Sequence, residues 1–282
     1  MPTLLRLRLL LGQDVILRPD NAPGQGWFLA LLRQIDPLWA NALHESGTRH
    51  PYSVSPLYAP APCPLDMEHD FGASVLRPVL TKNGPPKLPL LSGQTIALRI
   101  GFADDEEARR VCRALASGPV PPLGGAPCRL LHIPCWQDGD PDCLFATWTM
   151  LADAPPARTL FVRFQTPTAF TNQGEIALFP EPAKVWESWQ RAWQFAPEWP
   201  AGAETVSTDG LRVARYDLRT EAMPLKGGMA RGFVGTLELE WKRDVPPDVR
   251  RAACALAGIA DFLGTGRKTM MGMGQTQFRV LD

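Results

Sequence analysis

The sequence predicts an α+β protein made of two consecutive β-α-β-β-α-β units. Three observations carry that prediction. Short alternating runs with a period of two are interleaved with amphipathic stretches of helical period. The strand and helix order seen in the first half starts again at Thr159. Between the halves lies a Pro- and Ala-rich stretch, 152–158, with the composition of a linker. The expected units are therefore residues 1–152 and 153–282.

Each element follows from local chemistry. Residues 3–11 alternate Leu with Arg and then turn wholly apolar, which reads as a first strand. Residues 20–26 are turn-like. Residues 27–43 put Phe28, Leu31, Leu32, Ile35, Leu38, Trp39 and Leu43 on one helical face, with Pro37 set to kink or divide it. His44 would end this helix, and Gly47 would terminate it. Residues 52–57 read as a second strand, at an edge or bend because Pro56 cannot donate to a ladder. Residues 95–102 alternate as a third strand. Residues 104–117 form a helix that opens on Asp104, Asp105, Glu106 and Glu107. Acids favour the positive end of a helix dipole, so this cluster needs no catalytic explanation. Residues 129–134 and 144–151 read as closing strands, which completes a ferredoxin-like order.

The second unit repeats it. A strand at 159–165 leads to a turn around Gly174 and a helix at 182–195. Strands follow at 211–220 and 232–241, then an Ala-rich helix at 246–263 with proline in its first turn. A last strand spans 274–281. Trp186, Trp189 and Trp193 recur at helical spacing. Bases could stack on such rings, but a helical face packed into a core accounts for them.

Composition narrows the function. Lys plus Arg and Asp plus Glu both number 29, so a polyanion site has to be a local patch rather than a global charge. Residues 212–279 hold twelve Lys or Arg against seven Asp or Glu, and this excess surrounds a glycine-rich loop. A 45% hydrophobic content supports a sizeable core. The six cysteines show no disulfide-like spacing. With no leader-like opening and no apolar run long enough for a bilayer, the expected setting is the reducing cytoplasm, away from membranes.

The loop from Gly264 to Gly274 holds four glycines with Arg267 and Lys268. Amides exposed at Gly264, Gly266, Gly272 and Gly274 could cradle a polyanion such as RNA, with the two cations at the mouth. A bland glycine-rich turn is the competing reading. The spacing fits neither a Walker loop nor a dinucleotide fingerprint. Lys226 and Arg231 flank a second glycine pair. Among the four histidines, His44 at a helix end, with Arg49 and His50 close by, suits proton transfer at neutral pH; a capping surface histidine is the plain alternative. Cys128, His132, Cys135 and Cys143 invite a zinc reading, but their cysteines lack the tight pairs of zinc sites. No cofactor is expected.

Four segments together resemble the CRISPR-associated repeat-processing endoribonucleases of the RAMP superfamily. They are Leu43-His44-Glu45 followed by His50-Pro51-Tyr52-Ser53; Phe164-Gln165-Thr166-Pro167-Thr168-Ala169-Phe170, leading to the Trp-bearing helix; Gly232-Phe233-Val234-Gly235-Thr236; and the Gly264 to Gly274 loop. The resemblance implies a tandem ferredoxin-like protein that cuts precursor CRISPR RNA without metal. A 2′-hydroxyl would attack the adjacent phosphate, leaving a 2′,3′-cyclic phosphate and a 5′-hydroxyl. It further implies His44 as the proton-transfer group, with Arg49 or His50 stabilising the phosphorane. RNA contact falls to Lys226, Arg231, Gly264, Gly266, Arg267, Lys268, Gly272 and Gly274. The expected partners are repeat RNA and mature guide RNA, and further effector subunits, with the protein a monomer or homodimer. The sequence departs from the family at two places. His50 stands where many members have lysine, and Leu29 stands near the position where some carry tyrosine. An RNA-binding subunit that has lost cutting, a zinc protein, and a generic RNA-recognition module are the alternatives.

Overall fold

The computed structural model describes residues 1–45, 50–59, 75–79, 84–137, 139–172, 174–203 and 207–281, with backbone alone at His44, Glu45 and Asn172. In the first half, β1 (Thr3–Leu11) and β2 (Val15–Leu17) precede helices α1 (Pro23–Ile35) and α2 (Pro37–Glu45). Then come β3 (Tyr52–Val54), β4 (Leu88–Leu90), β5 (Thr95–Phe102), α3 (Asp105–Ser117), β6 (Cys128–Leu130), β7 (Cys143–Phe145) and α4 (Trp148–Ala152). The main sheet runs β3-β5-β1-β6, with β7 pairing with the start of β1 beside β6. All its pairings are antiparallel. This is the order a β-α-β-β-α-β chain adopts when each crossover returns beside the first strand. The minor pair β2-β4 stands apart.

The second half comprises β8 (Thr159–Thr168), the short hairpin β9 (Phe170–Asn172) and β10 (Glu175–Ala177), and α5 (Pro182–Trp193). The long ribbon β11 (Leu211–Leu225) and β12 (Gly228–Trp241), α6 (Pro247–Gly258), α7 (Ala260–Leu263) and β13 (Thr276–Leu281) complete it. Its sheet runs β11-β12-β8-β13, the same order as the first. The protein is therefore α+β with two ferredoxin-like sheets in tandem.

Alternation sets what each face does. On β5, Ile96, Leu98, Ile100 and Phe102 join the core under α1 and α3. Ala97, Arg99 and Gly101 take the opposite register and face the second half. There α7 packs across the sheet. The carbonyl of Phe262 accepts from Ser53 Oγ at 2.6 Å. A Cβ at position 101 would lie 1.7 Å from that same oxygen, so glycine is required for the close approach. The three tryptophans of α5 are buried in the second core, in agreement with the packing reading.

Two expectations are corrected. Residues 144–151 are not one strand, because Thr147 caps a new helix, its side chain accepting from Met150 N at 2.9 Å. Leu38 is 80% exposed instead of buried. Asp36 ends α1 in extended conformation, and its carboxylate caps α2 through the amides of Leu38 and Trp39. The helical phase restarts there, which turns Leu38 outward. At α3 the acids do what the dipole argument says. Asp104 caps the helix, Asp105 pairs with Arg109 at 3.0 Å, and Glu106 pairs with Arg113.

Candidate nucleic-acid interface

His44 lies on the last turn of α2. Its side chain, and Arg49 altogether, fall outside the described residues. His50 follows, half-buried, with its ring 5.5 Å from that of Tyr52. Tyr52 begins β3 and is buried, and burial pushes its phenol up to about 12, which makes it a poor proton donor near neutrality.

The glycine-rich loop docks beside this segment. Its short helical turn, Thr269–Met271, packs on β3 and α1. Gly272 sits against Pro56, and Met270 joins the core of the first half. The loop crosses itself: Thr265 N donates to Gly274 O at 2.8 Å. Gly274 has φ of 67°, and a Cβ there would come within 2.1 Å of Thr265 O. Glycine is needed because two backbones touch.

That geometry corrects the amide-cradle expectation. Gly264 N donates to Ala260 O, Gly266 N to Ser188 Oγ, and Gly274 N to Pro167 O. These three amides are used inside the protein, so they shape the loop rather than face a ligand. The charges are different. Arg267 and Lys268 are half-exposed, and neither has an acidic partner among the described residues. Lys268 adopts left-handed backbone, φ 56°, which turns the chain at the loop's tip.

The β11–β12 ribbon reaches the same place. Leu225 at its tip buries with Met273 of the loop, Ala169 and Ala22. Lys226 and Arg231, both exposed, are therefore carried by a ribbon fastened to the loop that bears Arg267 and Lys268. Between the halves opens a cleft of about 580 Å³, lined by Arg77, Arg99, Arg163 and Arg219 among others. Sequence reasoning missed these four because they lie on separate elements. Arg99 bonds Gln165 Oε1 at 3.0 Å, and Glu221 pairs with Arg219 at 2.8 Å. Arg163 is exposed, with no acidic partner among the described residues. Alternation along β5 and β8 was the available signal: both arginines sit on the faces opposite the apolar ones.

The chain resembles known proteins in sequence and in fold. The family model described as "CRISPR-associated endoribonuclease Cas6" matches residues 162–276. Over 136 residues the chain is 30% identical to the CRISPR-associated endoribonuclease Cas6 of Mycobacterium tuberculosis, covering 45% of this chain and 41% of that protein. The match thus spans less than half the length of the curated relatives. Over nearly the whole chain the fold is similar to a Cas6 product complex, with TM-score 0.74, 26% identity, and coverage of 99% of this chain and 100% of that one. The chain is thus similar to Cas6 proteins in fold over nearly its whole length and in sequence over residues 162–276. The Cas6 of Thermus thermophilus is also similar, with TM-score 0.70, 25% identity, and coverage of 99% of this chain and 98% of that one. The segment matched by the family model includes Lys226, Arg231, Arg267 and Lys268. His44, Arg49 and His50 lie before it.

Proposed function

We propose that this protein is an endoribonuclease that binds CRISPR repeat RNA and cuts precursor CRISPR RNA without a metal ion, releasing mature guide RNA in the cytoplasm. The observation that carries the reading is the docking of the basic glycine loop onto β3, the strand entered directly from the His44–His50 segment. A phosphate held by Arg267 and Lys268, with Lys226 and Arg231 on the adjoining ribbon, would lie between the two halves. We take residues 1–152 and 153–282 as the two units that form this seam.

The chemistry follows. The 2′-oxygen attacks its own phosphorus in line as its proton leaves, and a phosphorane forms. The bond to the 5′-oxygen then breaks, and that oxygen takes up a proton. The products are a 2′,3′-cyclic phosphate and a 5′-hydroxyl, with no net water consumed. His44 supplies one of the two proton transfers. Arg49 and His50 stabilise the phosphorane charge. A single positioned acid or base contributes about 10²–10⁴-fold.

Incubation with a cognate repeat RNA in EDTA, with both product ends mapped, tests this. Cleavage in chelator with a cyclic phosphate end is expected; chelator-abolished cleavage contradicts it. One observation favours a second reading, a binding subunit without cutting: Leu29, near the place of the family's tyrosine, is apolar and buried. Tight binding of intact RNA over prolonged incubation would select it.

A further inference from the structure

The floor of the cleft between the halves carries hydrogen-bond donors that the described residues leave unmatched. Phe164 of β8 pairs with Thr276 of β13, and next to them Gln165 N donates to Gln275 O at 2.8 Å. The two glutamines therefore stand opposite each other on neighbouring strands, with their side chains on one face. Both line the cleft. Gln275 is 5% exposed. The Nε2 of each is buried, and neither has a hydrogen-bond partner among the described residues. Arg99 lines the cleft beside them and donates to Gln165 Oε1 at 3.0 Å.

The bond to Arg99 decides what Gln165 can offer. A glutamine amide both donates and accepts, but here its oxygen is held by the guanidinium, so the cleft meets its N–H donors. The acid in the lining does not answer them, because Glu221 is engaged by Arg219 at 2.8 Å and Arg77 at 3.8 Å. A buried donor without an acceptor carries its full desolvation cost, and two side by side call for a ligand that brings acceptors. The terminal torsion of a glutamine is broad, so a small turn brings each Nε2 to the floor's surface. Uncharged amides suit an uncharged acceptor such as a carbonyl. Arg163, exposed at the rim, suits a phosphate beside it. Met223 and Met271 line the same cleft and offer thioether contacts to a flat ring. Its volume, about 580 Å³, is that of an ordinary small-ligand pocket.

We propose that Gln165 and Gln275 form a base-reading subsite that selects a keto base, uracil or guanine, from an unpaired stretch of bound RNA. The inference rests on the RNA-binding reading above and adds which bases the cleft admits. Uracil O4, or guanine O6 and N7, accepts from the two amides. Cytosine and adenine carry an amino group at the corresponding position, where donor would meet donor. Unpaired bases offer these edges freely, whereas an A-form helix hides them in its narrow major groove. The subsite therefore reads strand outside any stem, while Arg267, Lys268, Lys226 and Arg231 hold phosphates. No local pattern marks it, because Gln165 and Gln275 become neighbours only through the β8–β13 pairing.

Uridine and cytidine oligomers of equal length carry the same charge and differ at the edge in question, so they probe the subsite directly. The full-length protein in EDTA is titrated with each at fixed salt. Wild type should bind oligouridylate about tenfold tighter than oligocytidylate. Gln165→Ala and Gln275→Ala should each bring the two affinities within about twofold of each other by weakening uridylate binding alone. A merely structural role would weaken both oligomers alike. Should Gln275→Ala fail to fold, Gln165→Ala carries the test, since its ladder bond to Gln275 is made by backbone atoms. Equal affinity of the wild type for the two oligomers, or an unchanged preference in Gln165→Ala, overturns the proposal. In either case binding of repeat RNA leaves the ribonuclease reading standing; failure to bind both oligomers and repeat RNA overturns the two together.

Discussion

Asp261 is the residue whose environment has the clearest consequence. It is half-buried on α7, and desolvation pushes its carboxyl up to about 7, against the opposing Phe278 amide bond and the charges of Arg99 and Arg279. Its folded value lies above its unfolded one. It therefore adds stability that is full below about pH 4 and is lost as pH rises through about 7. Denaturant midpoints of wild type should fall across that window, and Asp261→Asn, which keeps the acceptor for Phe278, should flatten the fall. A parallel decline in both proteins would refute the assignment. At this scale the sequence shows the loop's cations but not what its amides bond to. Arg267 and Lys268 are read off directly. The uses of the Gly264, Gly266 and Gly274 amides depend on Ala260, Ser188 and Pro167, which no local pattern places beside them.

Among elements, the glycine loop and the tip of the β11–β12 ribbon call for glycine for different reasons. At Gly274 a Cβ meets backbone at 2.1 Å, whereas at Gly227, φ 95°, nothing lies within 4 Å. Gly227→Ala should cost about 1 kcal/mol from the left-handed backbone alone. Gly274→Ala adds a steric collision and should cost distinctly more, about 2–4 kcal/mol. Thermal melts of the two variants check the difference; equal shifts would mean the loop does not cross itself as described. Elements with one strong period were legible: β1 and β5 carry the expected bounds, the first marked by Arg6 and Arg8 set between leucines and the second by Ile96, Leu98, Ile100 and Phe102 at a period of two. The chain end of the first half was not. In 144–151 the apolar residues fit either period, and the Thr147 cap, a single hydrogen bond, decides for helix after Phe145.

Across the whole molecule, the proposed function depends on the seam between the two sheets. The seam combines a cleft lined by four arginines with a loop and ribbon carrying four more cations. Among the described residues no helix is long and apolar enough to cross a membrane. With 29 acids against 29 bases, the proposed RNA affinity has to come from a local patch such as this seam. The logarithm of the affinity for repeat RNA should therefore fall linearly with log salt. Replacing Arg267 and Lys268 together by Ala should reduce that slope by roughly one to two; an unchanged slope would move the RNA elsewhere. The most direct measurement pairs single-turnover cleavage with binding of repeat RNA in EDTA, for wild type and His44→Ala. The variant is expected to bind within about twofold of wild type and to cut about 10²–10⁴-fold more slowly. Cleavage by His44→Ala at the wild-type rate would contradict the assignment of proton transfer to that imidazole.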